Sequence, residues 1–290
     1  MIMHDFSKYK VNNKFYGGSE KKIGIEIDGI SYMLKFQKKT PFGYRYNIIS
    51  EYLGSHIYQM LGFDCQDTYL GTFKDEYVVC CKDFITEGIE FVPFNDVGES
   101  SLEINKELYQ YEYNDIMELL ISNSKLTNIE STISLFFEMF VVDAFLGNFD
   151  RHGGNWGFLK ENNKYKLAPI FDNGSCLYPN MTNEDEMKLI ISNEDEIDKR
   201  IYNFPTSQIR LNGKKSSYYD VISSLEYDNM NKALLKIFPL IDLEKINKLI
   251  DEIYIISNIH KEFYKVMLKN RYEKILKYSY LKLVNRNERI

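Results

Sequence analysis

Cysteine, proline and glycine are all scarce in this 290-residue chain, at four, six and sixteen residues. The four cysteines, Cys65, Cys80, Cys81 and Cys176, show no CxxC spacing, which excludes a disulfide-built scaffold or a zinc ribbon. They read as reduced, buried thiols. So little proline and glycine leaves no long disordered linker or low-complexity tract. No stretch approaches the roughly 18 uncharged apolar residues of a membrane span. The start, MIMHDFSKYK, lacks the apolar core of a signal peptide. A cytoplasmic location is therefore expected, with export by a non-classical route left open. Basic residues are outnumbered, 36 against 42 acidic, for a net charge of −6 and a pI near 5.4. Neither a nucleic acid nor an anionic membrane gains electrostatic help from such a surface, and neither is expected as a partner. His4, His56 and His260 are isolated, without metal-ligand spacing.

What is present is an ordinary globular composition, 44% hydrophobic and 27% charged, with 23 tyrosines and 19 phenylalanines. Residues 23–36, IGIEIDGISYMLKF, predict two strands around Asp28-Gly29. Residues 44–61 predict a helix, because Ile49, Leu53, Ile57, Met60 and Leu61 recur every three or four residues and Gly62 follows. Two more strands are predicted at 67–73 and 77–85. From about residue 103 the pattern turns helical, near 103–123, 131–147, 229–238, 242–254 and 257–284. A hairpin is predicted at 156–160 and 164–171. Segment 178–195 reads as irregular, with Glu184, Asp185 and Glu186 in an exposed loop. Lys214-Lys215 and the basic tail (Lys282, Arg286, Arg289) read as solvated charge. The fold class is α+β: a small antiparallel lobe with one helix over residues 1–85 and a mainly helical lobe over 86–290.

The richest motif is Leu146-Gly147-Asn148-Phe149-Asp150-Arg151-His152-Gly153-Gly154-Asn155-Trp156-Gly157, between an apolar helical run and a short strand. An Asp followed five residues later by Asn has the spacing of a kinase catalytic loop. There the Asp orients the attacking hydroxyl, and the Asn carbonyl oxygen ligates Mg²⁺, a hard cation that prefers oxygen donors. A loop of this composition is equally a good turn. Asp172 supplies a second carboxylate, in Ala168-Pro169-Ile170-Phe171-Asp172-Asn173-Gly174-Ser175, after a strand-like stretch and 17 residues beyond Asn155. It is placed to bind metal, as the Asp of D-F-G does, although a turn or cap explains it as well.

Lys35 completes the set in Tyr32-Met33-Leu34-Lys35-Phe36. Strand alternation puts it on the face opposite Leu34 and Phe36, where a cation could meet α- and β-phosphates. Glu51, on the next helix, could pair with it. Exposed strand lysines and helix glutamates are common alternatives. Gly17-Gly18-Ser19 precedes the first predicted strand and would let backbone approach phosphates; a flexible turn explains it equally. Lys82-Asp83-Phe84 ends the last strand, where a kinase hinge faces adenine. The order is what converts moderate signals into one reading: glycine turn, strand Lys, helix Glu, hinge, Asp…Asn loop, strand-end Asp.

These segments resemble the HipA-like serine/threonine protein kinases. N-F-D-R-H-G-G-N-W-G is similar to that family's D-x-H-G-x-N loop, including His152, and L-A-P-I-F-D-N-G-S to its L-A-P-x-[FY]-D element. G-G-S-E-K-K resembles the glycine-rich phosphate loop and Y-M-L-K-F the Lys strand. The resemblance covers roughly residues 15–270 and is most similar to the short CtkA-type members, which lack an extra N-terminal domain. It implies a bilobal protein-kinase-like fold, ATP and Mg²⁺ as cofactors, Ser/Thr protein substrates and frequent autophosphorylation in the glycine loop. For some members it implies toxin-like action on aminoacyl-tRNA synthetases, and with it an antitoxin-type protein partner. Asp150 is then catalytic. Asn155 and Asp172 hold metal, and Gly17, Gly18, Ser19, Lys35, Glu51, Lys82, Asp83, Phe84 and His152 border the nucleotide. Two departures stand out: Gly-Gly-Ser replaces Gly-Ala-Gln, and Lys82-Asp83-Phe84 replaces Glu-Arg-Phe. Two other classes fit less well. A pseudokinase module would usually have lost one of Lys35, Asp150, Asn155 or Asp172. A lipid or small-molecule kinase lacks support from any basic or amphipathic membrane face.

Overall fold

Asp28 and Gly29 both take left-handed backbone angles, φ 50° and 78°, the pair of positive values that a tight two-residue hairpin turn requires. In the computed structural model, which describes residues 3–17, 20–41, 43–98, 111–122, 126 and 128–287, this turn lies inside a six-stranded sheet. The strands are β1 (His4–Asp5), β2 (Lys10–Val11), β3 (Lys22–Ile27) and β4 (Ile30–Phe36). After a small β5–β6 hairpin (Lys39–Thr40, Gly43–Tyr44) and helix α1 (Asn47–Met60) come β7 (Thr68–Phe73) and β8 (Glu76–Lys82). Their spatial order is β1-β7-β8-β4-β3-β2, antiparallel except for the β1–β7 pair. Strands β1 and β2 are two residues long and left no pattern in the sequence.

Alternation along the strands sorts the two faces. Ile25, Leu34, Phe36, Val78 and Cys80 close a small core with Phe6 and Phe73 on one side. Cys81 turns to the other face, where α1 covers the sheet and brings Ile49, Leu53 and Ile57 into the main core. Cys80 and Cys81 thus diverge as a strand requires, and all four cysteines are free and buried.

The remaining described elements are β9 (Glu90–Pro93), α2 (Phe94–Gly98), α3 (Tyr113–Ser122), α4 (Ile129–Leu146), β10 (Gly157–Glu161) and β11 (Lys164–Leu167). They continue with α5 (Glu184–Ile191), α6 (Glu194–Asp198), β12 (Thr206–Leu211), β13 (Lys214–Ser217), α7 (Tyr218–Ser224) and α8 (Asp228–Ile237). The last are α9 (Leu243–Asp251), α10 (Asn258–Arg271) and α11 (Tyr278–Asn287), these two joined by a π-helical turn. Helix α4 is the spine of this half. Asn128 caps its start by accepting from the Ser131 amide at 3.0 Å, every residue from Phe136 to Leu146 is buried, and Gly147 ends it at φ 65°. The predicted β10–β11 hairpin forms, but β9 adds an unanticipated third strand. The expected irregular segment is instead largely helical. The Asn183 side chain accepts from the Asp185 and Glu186 amides, and Glu184, Asp185 and Glu186 occupy the first turn, where the helix dipole favours acids. Met187 and Ile190 are fully buried beneath them. No helix among the described residues is long and apolar enough to cross a membrane.

Candidate phosphoryl-transfer site

Lys35 projects from β4 on the face opposite Leu34 and Phe36, into the seam between the sheet, α1 and the segment after β11. Its Nζ donates to Glu51 Oε2 at 2.7 Å and to Asp172 Oδ1 at 2.9 Å. Burial opposes a charge there, but Asp172 and Glu51 together outweigh it and hold the ammonium protonated well above its ordinary range. Glu51 is 1% exposed, and its second oxygen accepts the Asn173 amide at 3.0 Å. One carboxylate on α1 therefore fixes both the lysine and the backbone beside Asp172. The approach is close because residue 54 on α1 is glycine: a β-carbon there would stand 2.7 Å from Cβ of Asn173. Asp172 takes φ 58°, a strained angle for a residue with a side chain and one that clusters at functional sites. The Lys35 charge, against burial, holds its carboxyl below the usual range.

Asp150 lies four residues past the end of α4 at Leu146. Its backbone amide donates to Asn148 Oδ1 at 3.0 Å, and its carbonyl accepts the Asn155 side-chain amide at 2.8 Å. That bond uses the nitrogen of Asn155 and leaves its amide oxygen for a ligand. Burial raises the Asp150 carboxyl; His152 draws it back and the negative charge of Asp172 raises it further, so the two acids share one site. His152 Nδ1 accepts the Gly154 amide at 3.0 Å, and Nε2 stands 4.0 Å from Asp150 Oδ1.

The hinge residues divide. In register Lys82 pairs with Tyr32, so its side chain lies on the face away from Lys35, with its Nζ 3.7 Å from Asp67. Asp83 binds the segment that leads to the glycines, accepting from the Tyr16 hydroxyl at 3.0 Å and from Lys14 at 2.5 Å. Phe84 packs on Phe171, next to Asp172, with ring centroids 5.5 Å apart. The Gly17 carbonyl accepts from Lys22, while Gly18 and Ser19 lie outside the described residues. Lys35, Glu51, Asp150, His152, Asn155 and Asp172 are thus brought together, and the Lys82 side chain does not join them.

Residues 15–234 match the family model of the HipA-like C-terminal domain. The chain belongs to this family. It is 39% identical over 289 residues, 97% of this chain and 88% of the relative, to the serine/threonine-protein kinase CtkA of Helicobacter pylori strain J99. The crystal structure of the H. pylori proinflammatory kinase CtkA superposes with a TM-score of 0.91 at 38% identity, covering 99% of each chain. HipA of Shewanella oneidensis MR-1, solved with HipB and operator DNA, gives 0.60 at 18% identity over 93% of this chain and 64% of that one, a likeness of fold. The α+β architecture is that of the HipA-like kinases.

Within this HipA-like site the residue that sequence reasoning passed over is Arg151. It is 6% exposed and uses its whole guanidinium. Nε donates to Asp143 Oδ2 at 3.0 Å, and a terminal nitrogen reaches Asp143 Oδ1 at 3.3 Å and Asn173 Oδ1 at 2.6 Å. The other nitrogen donates to the carbonyls of Asn155 at 2.8 Å and Phe171 at 2.6 Å. Asp143, on α4, also accepts from the Tyr58 hydroxyl at 2.8 Å and from Asn148 at 3.0 Å. The Asp150–Asn155 loop and the Asp172 segment are therefore held on one buried ion pair. A signal existed: Asp143 is an acid inside the apolar run FFEMFVVDAFL, and a buried acid needs a partner.

Proposed function

We propose that this protein is a serine/threonine protein kinase that uses ATP and Mg²⁺, with Asp150 as the catalytic residue. The observation that carries the reading is the Lys35 ammonium held between Glu51 at 2.7 Å and Asp172 at 2.9 Å. Such a pair positions a cation for the α- and β-phosphates. The donor set suits a hard divalent ion: Asp172 keeps a carboxylate oxygen beyond the one given to Lys35, and Asn155 keeps its amide oxygen. Bound there with nucleotide, Mg²⁺ would neutralise charge developing on the phosphates. Asp150 accepts a hydrogen bond from the acceptor hydroxyl and aligns its oxygen with the γ-phosphorus. The new phosphorus–oxygen bond forms as the β–γ bridging bond breaks. ADP leaves with the bridging electrons, and the hydroxyl proton passes to Asp150 and on to solvent. The Asp150 carboxyl, raised by burial, takes up that proton more readily than a free aspartate.

Gly17, Gly18 and Ser19 would cover the phosphates, Asp83 and Phe84 would border adenine, and Ser19 is proposed as an autophosphorylation site. An antitoxin-type protein partner belongs to the same proposal, and co-purification from the native host tests it. The kinase reading is tested by incubating the protein with labelled ATP and Mg²⁺ and a panel of proteins, lipids and small alcohols. Label on serine or threonine of itself or a protein is expected. Label confined to small molecules or lipids, or no transfer, would overturn it.

A further inference from the structure

Arg271, the last residue of α10, is fully buried, and no acid among the described residues pairs with it. Its Nε donates to the Ala144 carbonyl in the last turn of α4, and one terminal nitrogen donates to the Arg200 carbonyl at 2.9 Å. The other terminal nitrogen is buried and has no partner among the described residues. A buried guanidinium without a counter-charge is costly, and a methionine or leucine would fill the space with less desolvation. The carbonyl end of α4 offsets part of the cost, because a helix C-terminus carries partial negative charge. The Tyr218 ring offsets more, its centroid 5.8 Å from the guanidinium carbon. What an arginine alone supplies is a planar fork that holds two carbonyls in one fixed relation.

Both carbonyls lie where they set the course of the chain into Asp150. Between the last turn of α4 and that residue, four carbonyls are held from outside the loop. Ala144 is held by Arg271, Leu146 by the Leu177 amide at 3.0 Å, Asn148 by the Tyr218 hydroxyl at 2.7 Å and Phe149 by the Gln208 side-chain amide. Asn148 in turn accepts the Asp150 amide on its side-chain oxygen. The guanidinium also lies against Gly147, where a β-carbon would stand 3.5 Å from its Nε and Cζ. Arg200 belongs to a π-helical turn, Lys199–Asn203, that runs through Phe204 and Pro205 into β12. The Phe204 ring packs on Phe149 with centroids 5.7 Å apart. Arg271 therefore joins the two segments that meet at Phe149, the residue before Asp150, and none of its bonds goes to Lys35, Asp150, Asn155 or Asp172.

We propose that Arg271, acting through Ala144 and Arg200, and Tyr218, acting through Asn148, are positioning residues for Asp150: they fix where its carboxylate meets the acceptor hydroxyl. The proposal rests on the kinase reading and deepens it. Arg151 ties Asn155 to the Asp172 segment, whereas Arg271 and Tyr218 hold the approach to Asp150 from α4. The nucleotide side depends on neither of them. Lys35 and Asp172 are held by Glu51, and Glu51 by the Asn173 amide, so loss of Arg271 should misplace the base and leave ATP binding as it was.

The test compares wild type, Arg271→Met, Arg271→Lys and Tyr218→Phe, with phosphotransfer counted per ATP-binding molecule by calorimetry. A displacement of about 1 Å at the reacting group can cost about 10²-fold, so kcat should fall by about that much in Arg271→Met at unchanged ATP affinity. Arg271→Lys keeps the charge but meets only one of the two carbonyls, and Tyr218→Phe removes a single hydroxyl, so both should lie between. Amide hydrogen exchange reads the loop without reference to activity: Asn148 and Asp150 should exchange faster in Arg271→Met, with α1 unchanged. Wild-type kcat in Arg271→Met overturns the proposal, as does a loss of ATP affinity equal to the loss of turnover, or unchanged exchange at Asn148 and Asp150. If Arg271→Met does not fold, Arg271→Lys and Tyr218→Phe decide by the same criteria. A wild type that transfers no phosphate overturns the kinase reading, and the exchange rates still decide whether Arg271 sets the loop.

Discussion

Replacing Arg151 by lysine keeps the charge and removes the fork. The guanidinium makes five hydrogen bonds to four groups: two to buried Asp143, one to buried Asn173 Oδ1, and one each to the half-buried Asn155 and Phe171 carbonyls. A lysine ammonium is a single point with three donors on a shorter stem, and it cannot span a carboxylate on α4 and a carbonyl beyond Asn155 at once. At least two acceptors should lose their partner. A buried polar group left unsatisfied costs about 1–3 kcal/mol, so the expected destabilisation is about 2–6 kcal/mol. That is a large share of the roughly 5–15 kcal/mol that holds a domain, and it corresponds to a melting temperature lower by about 10 °C. Activity should fall further than folding does, because the Asp150 loop and the Asp172 segment lose their common anchor. Denaturant unfolding and phosphotransfer, measured on the same preparation well below its midpoint, separate the two effects. A lysine variant within about 1 kcal/mol of wild type and with wild-type turnover would refute the argument that this fork joins the two catalytic segments.

Asp150→Asn should fold and bind ATP but lose about 10²–10⁴ in turnover, which steady-state phosphotransfer would show. Because burial raises the Asp150 carboxyl, the acid limb of kcat/KM should lie above the ordinary aspartate value of about 3.9. Over that same window the folded state binds the proton more tightly than the unfolded chain, so this group's contribution to stability is present at low pH and lost as pH rises. Asp150→Asn should remove that slope from a pH series of unfolding curves. Asp172→Ala should weaken Mg²⁺-dependent ATP binding more than Asn155→Ala, since it removes a charged oxygen and a partner of Lys35; calorimetry with and without Mg²⁺ ranks them, and equal affinities would count against the metal assignment. A phosphate on Ser19 adds roughly −1.5 to −2 charges beside bound ATP, so Ser19→Asp should bind ATP more weakly than Ser19→Ala, and phosphosite mapping shows whether Ser19 is used.

What was legible followed from periods and spacings. Period-two alternation alone set Lys35 opposite Leu34 and Phe36, and it stands there. The α1 pattern came from five apolar residues, of which Ile49, Leu53, Ile57 and Leu61 are buried and Met60 is exposed. Other features had signals that composition hid. Arg-Leu-Asn-Gly-Lys contains the Asn-Gly pair that marks a tight hairpin, but the lysines beside it made the segment look like solvated charge. Asn183 and Asn193 each cap a helix whose first turn is acidic, a helix-start pattern that looked instead like an acidic loop. Strand β9 left no signal of its own. It contains Pro93 and pairs with a strand whose partner residues lie 64 to 70 positions along the chain, a distance no local pattern encodes.

The residues proposed to carry the chemistry read more easily than the residues that hold them, and the geometry gives the reason. A hydrogen-bonded chain runs from Lys35 on β4 to Glu51 on α1, from Glu51 to the Asn173 amide, from Asn173 Oδ1 to Arg151, and from Arg151 to Asp143 on α4. Its ends are 108 residues apart in sequence, at positions 35 and 143, and each link joins segments that have no common period. Chemistry constrains the type and spacing of the residues that meet the reactants, so Asp150 and Asn155 carry a pattern. Support constrains only burial and partnership, so Asp143 and Arg151 look like one acid in an apolar helix and one ordinary loop residue. The chain also sets the order of failure. Breaking either end leaves a buried carboxylate, Glu51 or Asp143, without a counter-charge, but Lys35 keeps Asp172 and Glu51 keeps the Asn173 amide, whereas removing Arg151 ends five hydrogen bonds at once. The least conspicuous residues in the sequence are therefore the ones whose removal should unfold the site.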